Sequence, residues 1–130
     1  MPDVQPYTRE AGSGPGVVCL HSNASTSAQW RALINLFSTS HRVLAPDLYG
    51  SGKSVDWPSQ SEIALLDEVK FIEPVLASAG MPLMLVGHSY GAAVALLAAL
   101  YSGEAAPSIY RTGMSNSAKA CAGVGSANNA

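Results

Sequence analysis

The chain has 130 residues, 48% of them hydrophobic and 12% charged, with a formal net charge of −2. That length suits one domain, and the apolar fraction supplies a packed core, so global disorder is excluded. The slight negative balance provides no basic field for a phosphate backbone, which excludes nucleic acid as a partner.

In chain order, the opening "MPDVQPYTRE" lacks the charged-then-apolar order of a signal peptide. The longest apolar run, residues 92–100, falls short of the roughly 18 residues that span a bilayer. A cytoplasmic location without membrane contact is therefore expected. Cys19 lies in an apolar run and Cys121 in a polar one, without metal-ligand spacing or a redox pair. Both are expected to be free thiols, and no metal or cofactor is expected.

After the turn cluster "GSGPG", "VVCL" (residues 17–20) reads as a buried strand. Next comes a helix over residues 26–37, where Thr26 and Gln29 fit a capping box and Trp30, Leu33, Ile34 and Phe37 recur at helical spacing. "RVLAP" (residues 42–46) is a second strand, ended by its proline. Ser59 and Glu62 suggest another capping box, followed by a helix to about Ala79 whose apolar face is Leu65, Val69, Ile72 and Leu76. Pro74 is expected to kink it. "LMLV" (residues 83–86) is a third strand, and residues 92–101 form a largely apolar helix. This alternation predicts an α/β fold, a three-layer sandwich with a mostly parallel sheet. The Ala-, Ser-, Gly- and Asn-rich residues 102–130 read as a disordered tail after a domain ending at residue 101.

Two glycine-bearing stretches could carry chemistry. The first, "APDLYGSGKS" (residues 45–54), ends like a phosphate-binding loop. The glycine that opens such a loop is replaced by Asp47, whose carboxylate would face the anion, and Pro58 precedes any helix whose N-terminus could aim at phosphates. A tight loop needing the backbone freedom of glycine is the better reading. The second stretch, "GHSYG" (Gly87, His88, Ser89, Tyr90, Gly91), is Gly-x-Ser-x-Gly between a buried strand and a helix. In that setting Ser89 sits on a strained turn that projects its hydroxyl. Gly87 and Gly91 keep side chains out of crowded backbone, and the helix N-terminus faces developing negative charge.

With "VVCLHSNAS", "QWRAL", "RVLAPDLYGSGKS" and "LVGHSYG" in this order, the chain resembles the α/β-hydrolase family, in its esterase and peroxidase-like branches. The resemblance runs from about Pro6 to Tyr101, the N-terminal part of the family's fold. It implies Ser89 as nucleophile, with an oxyanion hole made by the backbone N–H of Tyr90 and of Asn23. It also implies a bracing role for His21 beneath the oxyanion loop, where Ser22 replaces the glycine of many members. His88 flanks the nucleophile on a bent backbone that turns it away, His41 is expected at the surface, and Trp30 in the core.

The family's catalytic acid and base follow the nucleophile in sequence. After Ser89 there is no histidine and no aspartate, and the sole carboxylate is Glu104. The expectation is an α/β-hydrolase truncated after the elbow helix, with an exposed sheet edge at residues 83–86 that favours self-association. Two functions stay open. One is acyl ester hydrolysis of a small uncharged substrate through Ser89, weak or absent in this chain. The other is a non-catalytic remnant or binding module.

Overall fold

A computed structural model describes residues 4–80 and 83–100. The expected tail, Cys121 and Glu104 lie outside the described residues. Four strands form one sheet: β1 (Thr8–Ala11), β2 (Gly16–Leu20), β3 (Arg42–Pro46) and β4 (Leu83–Gly87), in the order β1-β3-β2-β4. β2 runs parallel to both β3 and β4, while β1 pairs antiparallel with β3, from Thr8 opposite Pro46 to Ala11 opposite Val43. The mostly parallel sheet is as expected. β1 is an addition, an edge strand without apolar alternation whose register is set by the β3 backbone.

The alternation of side chains along each strand divides the core in two. Val18, Leu20, Leu44, Leu83 and Leu85 face one layer, built by α2 (Leu65–Ala79) and α3 (Tyr90–Leu100). Val17, Cys19, Val43 and Ala45 face the other, where Trp30 and Ile34 pack. That second layer is a 3-10 turn over Ser27–Trp30 continuing into α1 (Arg31–Phe37). Each fully buried aliphatic side chain in these layers contributes about 1.5–3 kcal/mol. Cys19 is a free, buried thiol, its pKa pushed up to about 12 by burial.

Two helix starts differ from expectation. α2 begins at Leu65, not after Ser59: Asp67 accepts the Ala64 N–H at 2.8 Å, supplying the acidic half of a cap. Ser59 instead folds the preceding loop, accepting the Ser61 N–H at 3.1 Å beside the bond from Trp57 Nε1 to the Ser61 carbonyl. At Thr26 half of the expected box forms, with Oγ1 accepting the Ala28 N–H at 3.1 Å. Gln29 is drawn away to Ser22, in the loop after β2, and to His88 in the elbow. The α2 helix continues through Pro74, and α3 starts at Tyr90, earlier than residue 92.

This topology places the site. From β2 the chain crosses through α1 on one face to β3, then through α2 on the other face to β4 on the opposite side of β2. The loops leaving the C-terminal ends of β2 and β4 therefore diverge to opposite faces. Such a crevice at the reversal of strand order is where open α/β sheets bind ligands. β4 has one strand neighbour among the described residues, and Met84 on it is 43% exposed. No helix among the described residues is long and apolar enough to cross a membrane.

Candidate active site

Ser89 ends the turn between β4 and α3 and adopts φ 56°, a left-handed conformation that costs an L-residue roughly 1–2 kcal/mol. Its neighbours show why only glycine fits on either side. A Cβ on Gly87 would come within 2.5 Å of the Gly91 carbonyl and 2.6 Å of the Ala92 backbone. One on Gly91 would strike the Leu20 carbonyl and come within 2.5 Å of that of His21. The turn is thus wedged against the end of β2 and held there by His88 N–H donating to the Leu20 carbonyl at 3.1 Å. Ser89 itself is exposed. Its carbonyl accepts the Ala92 and Ala93 N–H groups, and the His88 carbonyl accepts that of Gly91. The Tyr90 N–H takes part in none of these bonds and stands at the start of α3, where the helix end favours negative charge.

The loop after β2 faces this turn. His21 is 1% exposed. The Leu48 N–H donates to its Nε2 at 3.0 Å, so the ring proton resides on Nδ1, which donates to the Ser22 carbonyl at 2.8 Å. Burial lowers the His21 pKa, and with both nitrogens occupied the ring braces the loop as a neutral tautomer. Ser22 adds its own tie: both its N–H and its Oγ donate to Gln29 Oε1, at 3.0 and 3.3 Å. The amide end of Gln29 reaches His88 Nδ1, so one side chain links the β2 loop to the elbow. Asn23 lies exposed at the tip, its Oδ1 accepting the Ala24 N–H, and Ala24 has φ 60°. His41 stands apart, half-buried, with Nδ1 against Ser40 Oγ and its ring edge-on to Phe37.

The stretch that imitates a phosphate loop wraps around a carboxylate. Asp47 is 2% exposed; its Oδ1 accepts the Ser27 N–H at 2.7 Å and its Oδ2 the Lys53 N–H at 3.0 Å. Gly52 has φ 52° and lies so near Asp47 that a Cβ would overlap the carboxylate. Ser54 Oγ donates to the Asp47 carbonyl and accepts the Tyr7 N–H, while the Lys53 ammonium lies 4.8 Å from the centre of the Tyr7 ring. The donors a phosphate would require are already spent.

Between the two loops lies a cleft of about 190 Å³, whose walls include His21, Asn23, Tyr49, Trp57, Glu68 and Tyr90. The oxyanion residues expected from sequence thus meet in one cleft, with Ser89 next to it in sequence although not among its walls. Glu68 was not foreseen. It is 3% exposed, accepting the Tyr49 N–H at 3.1 Å and the Tyr90 O–H at 2.9 Å. Burial raises its pKa above the ordinary 4.5, against the pull of those two bonds, and Asp67 adds to the rise. Burial and Glu68 together also raise the Tyr90 phenol. The signal was present in the spacing: Leu65, Glu68 and Ile72 fall on one helical face, which puts a carboxylate on the apolar stripe. Among the described residues, no cluster of His, Cys, Asp and Glu is arranged to hold a metal ion.

The sequence matches the model of the alpha/beta hydrolase family over residues 17–124. An epoxide hydrolase from Caballeronia sordidicola is 34% identical over 106 residues, spanning 72% of this chain and 29% of that protein. A haloalkane dehalogenase from Mesorhizobium japonicum is 31% identical over 90 residues, spanning 68% of this chain and 28% of its own. Among solved structures, the thioesterase domain from the curacin biosynthetic pathway superposes with a TM-score of 0.67 at 30% identity, covering 73% of this chain and 35% of that one. The chain therefore spans less than a third of the length of these curated relatives. With the family match extending over most of its length and the elbow formed as that fold requires, the chain belongs to the alpha/beta hydrolase family.

Proposed function

We propose that the chain carries the nucleophile and oxyanion half of a serine hydrolase acting on acyl esters or related acyl compounds. The observation that supports this reading best is Ser89 at φ 56° between two glycines that cannot bear a Cβ. A hydroxyl at that place, with the Tyr90 N–H next to it in sequence and Asn23 on the wall of the adjoining cleft, suits attack on a carbonyl carbon whose oxygen turns toward those two N–H groups. Each such donor is typically worth roughly 3–4 kcal/mol in the transition state. The similar thioesterase domain acts, by its name, on acyl thioesters, which agrees with a serine at the elbow. The similar epoxide hydrolase and dehalogenase act by name on other bonds, so within this family the reading rests on the residue at position 89.

Turnover requires a base for the serine proton. The three histidines of the chain are His21, with both nitrogens occupied, His41, at Ser40 and Phe37, and His88, with Nδ1 engaged by Gln29. No histidine or aspartate follows Ser89. Losing the triad base costs about a million-fold in turnover, leaving roughly a thousand-fold or more over water. Catalysis by this chain alone is therefore expected near background. The cleft lined by aromatic side chains carries a second reading, a binding module without turnover.

A fluorophosphonate probe separates the two. Slow but stoichiometric labelling of wild type, absent in Ser89→Ala, is the outcome the hydrolase reading predicts. Labelling no different between the two proteins would leave the binding module.

A further inference from the structure

Glu68 is a buried carboxylate whose two oxygens each accept a hydrogen bond from a neutral donor. Among the described residues the single ion pair is Arg42 with Glu10, near the far end of α2, where Arg42 also donates to the Ser78 carbonyl. Glu68 therefore has no cation among them, and the charged group that acts on it is Asp67, of the same sign. A buried charge without a counter-ion is strongly unfavourable, and proteins ordinarily pair it or neutralise it. A clamp joining the Tyr49 N–H to the Tyr90 O–H could be built from neutral groups, so the charge itself calls for a partner.

The surroundings indicate which partner. Tyr49, Trp57 and Tyr90 line the same cleft as Glu68. The Tyr49 ring is stacked on Phe71 at 3.8 Å and meets Trp57 nearly edge-on at 5.2 Å, so the aromatic wall is packed in place before any ligand arrives. Aromatic rings grouped around a cavity attract organic cations through their quadrupoles, most strongly where water is excluded. A volume of about 190 Å³ suits a compact head group, since a cavity of roughly 150 Å³ holds a benzene-sized guest.

We propose that this cleft binds a compact organic ammonium group, set against the Glu68 carboxylate among Tyr49, Trp57 and Tyr90. Resting on the hydrolase reading of Ser89, the proposal makes the substrate class an acyl compound with a cationic head group, in place of the uncharged ester expected from sequence. The ammonium would occupy the Glu68 end while the acyl carbon reaches Ser89 past the Asn23 and Tyr90 donors.

The test needs no catalysis. The full 130-residue chain is titrated with choline and with its neutral isostere 3,3-dimethyl-1-butanol, following amide shifts by NMR. Choline is expected to saturate and to bind about tenfold tighter than the alcohol. Glu68→Gln should abolish that preference, and Trp57→Ala should weaken choline several-fold while the far-ultraviolet circular dichroism stays that of the folded chain. Equal binding of the two ligands, a preference retained in Glu68→Gln, or no saturation at tens of millimolar choline would each overturn the proposal. Fluorophosphonate labelling reports separately on Ser89, so a choline preference without labelling would remove the acyl reading alone, and labelling without the preference would remove the cation site alone.

Discussion

After β3 the chain turns through residues 47–54 around a side chain; after β4 it turns through residues 87–91 with backbone packed on backbone. Both turns leave the C-terminal end of a parallel strand, and both depend on glycine. In the first, the Asp47 carboxylate gathers the Ser27 and Lys53 N–H groups, and Gly52 is needed because the carboxylate occupies the place of its Cβ. In the second, Gly87 and Gly91 bring the turn against the end of β2, leaving Ser89 exposed and the Tyr90 N–H out of the turn's own bonds. A loop that spends its donors on its own carboxylate is structural. The second turn is sterically forced, and it leaves a hydroxyl exposed.

The comparison breaks most visibly at Gly91. Gly91→Ala places a methyl on the Leu20 carbonyl, which cannot retreat without disturbing β2, so a loss of about 3 kcal/mol or more is expected, read from urea denaturation followed by circular dichroism. Next is Asp47→Ala, which strands two N–H donors, one of them on the buried Ser27, and should cost roughly 2–4 kcal/mol by the same measurement. Asp47→Asn keeps one acceptor and should cost less. If Asp47→Ala were neutral, the loop would be held by its backbone alone and the contrast between the two turns would fail.

These same residues explain what could be read in advance. The elbow was legible because a steric rule ties residue type to position over five consecutive residues, whatever the rest of the fold does. β2, β3 and β4 were legible as short apolar runs because sheet residues covered on both faces leave that pattern. β1 was not, since an edge strand such as Thr8–Ala11 owes its conformation to the backbone of β3. Ser59 and Glu62 have the spacing of a helix cap, but Ser59 is used by a local turn with Ser61, and the helix waits for Asp67. Gln29 likewise fitted a local box, and a tertiary demand from Ser22 and His88 prevailed. Glu68 lay on an apolar stripe, yet its role depends on Tyr49 and Tyr90, which reach it from two other elements.

A smaller effect sharpens the functional side of the comparison. Ser89→Gly relieves the left-handed strain at φ 56° and should stabilise the chain by about 1 kcal/mol while abolishing fluorophosphonate labelling. Ser89→Ala keeps the strain and should lose labelling with nearly unchanged stability. Equal stability of the two variants would mean that the turn stores no strain at Ser89.

The smallest expected effect is in pH dependence, where two buried groups of the cleft oppose each other. Burial raises the Glu68 pKa above 4.5, so the folded chain binds more protons there than the unfolded chain, and stability is lost as pH rises through the folded value. His21 has its pKa lowered from 6.5, so the unfolded chain binds more protons, and stability is lost as pH falls from 6.5 through the folded value. Between 4.5 and 6.5 the two slopes partly cancel, each being at most about 1.4 kcal/mol per pH unit. Glu68→Gln removes one of them, so its stability should climb more steeply with pH across this window than that of wild type, in urea denaturation at intervals of pH. Parallel curves would mean that Glu68 titrates alike in the folded and unfolded chains, and that burial places no cost on its charge.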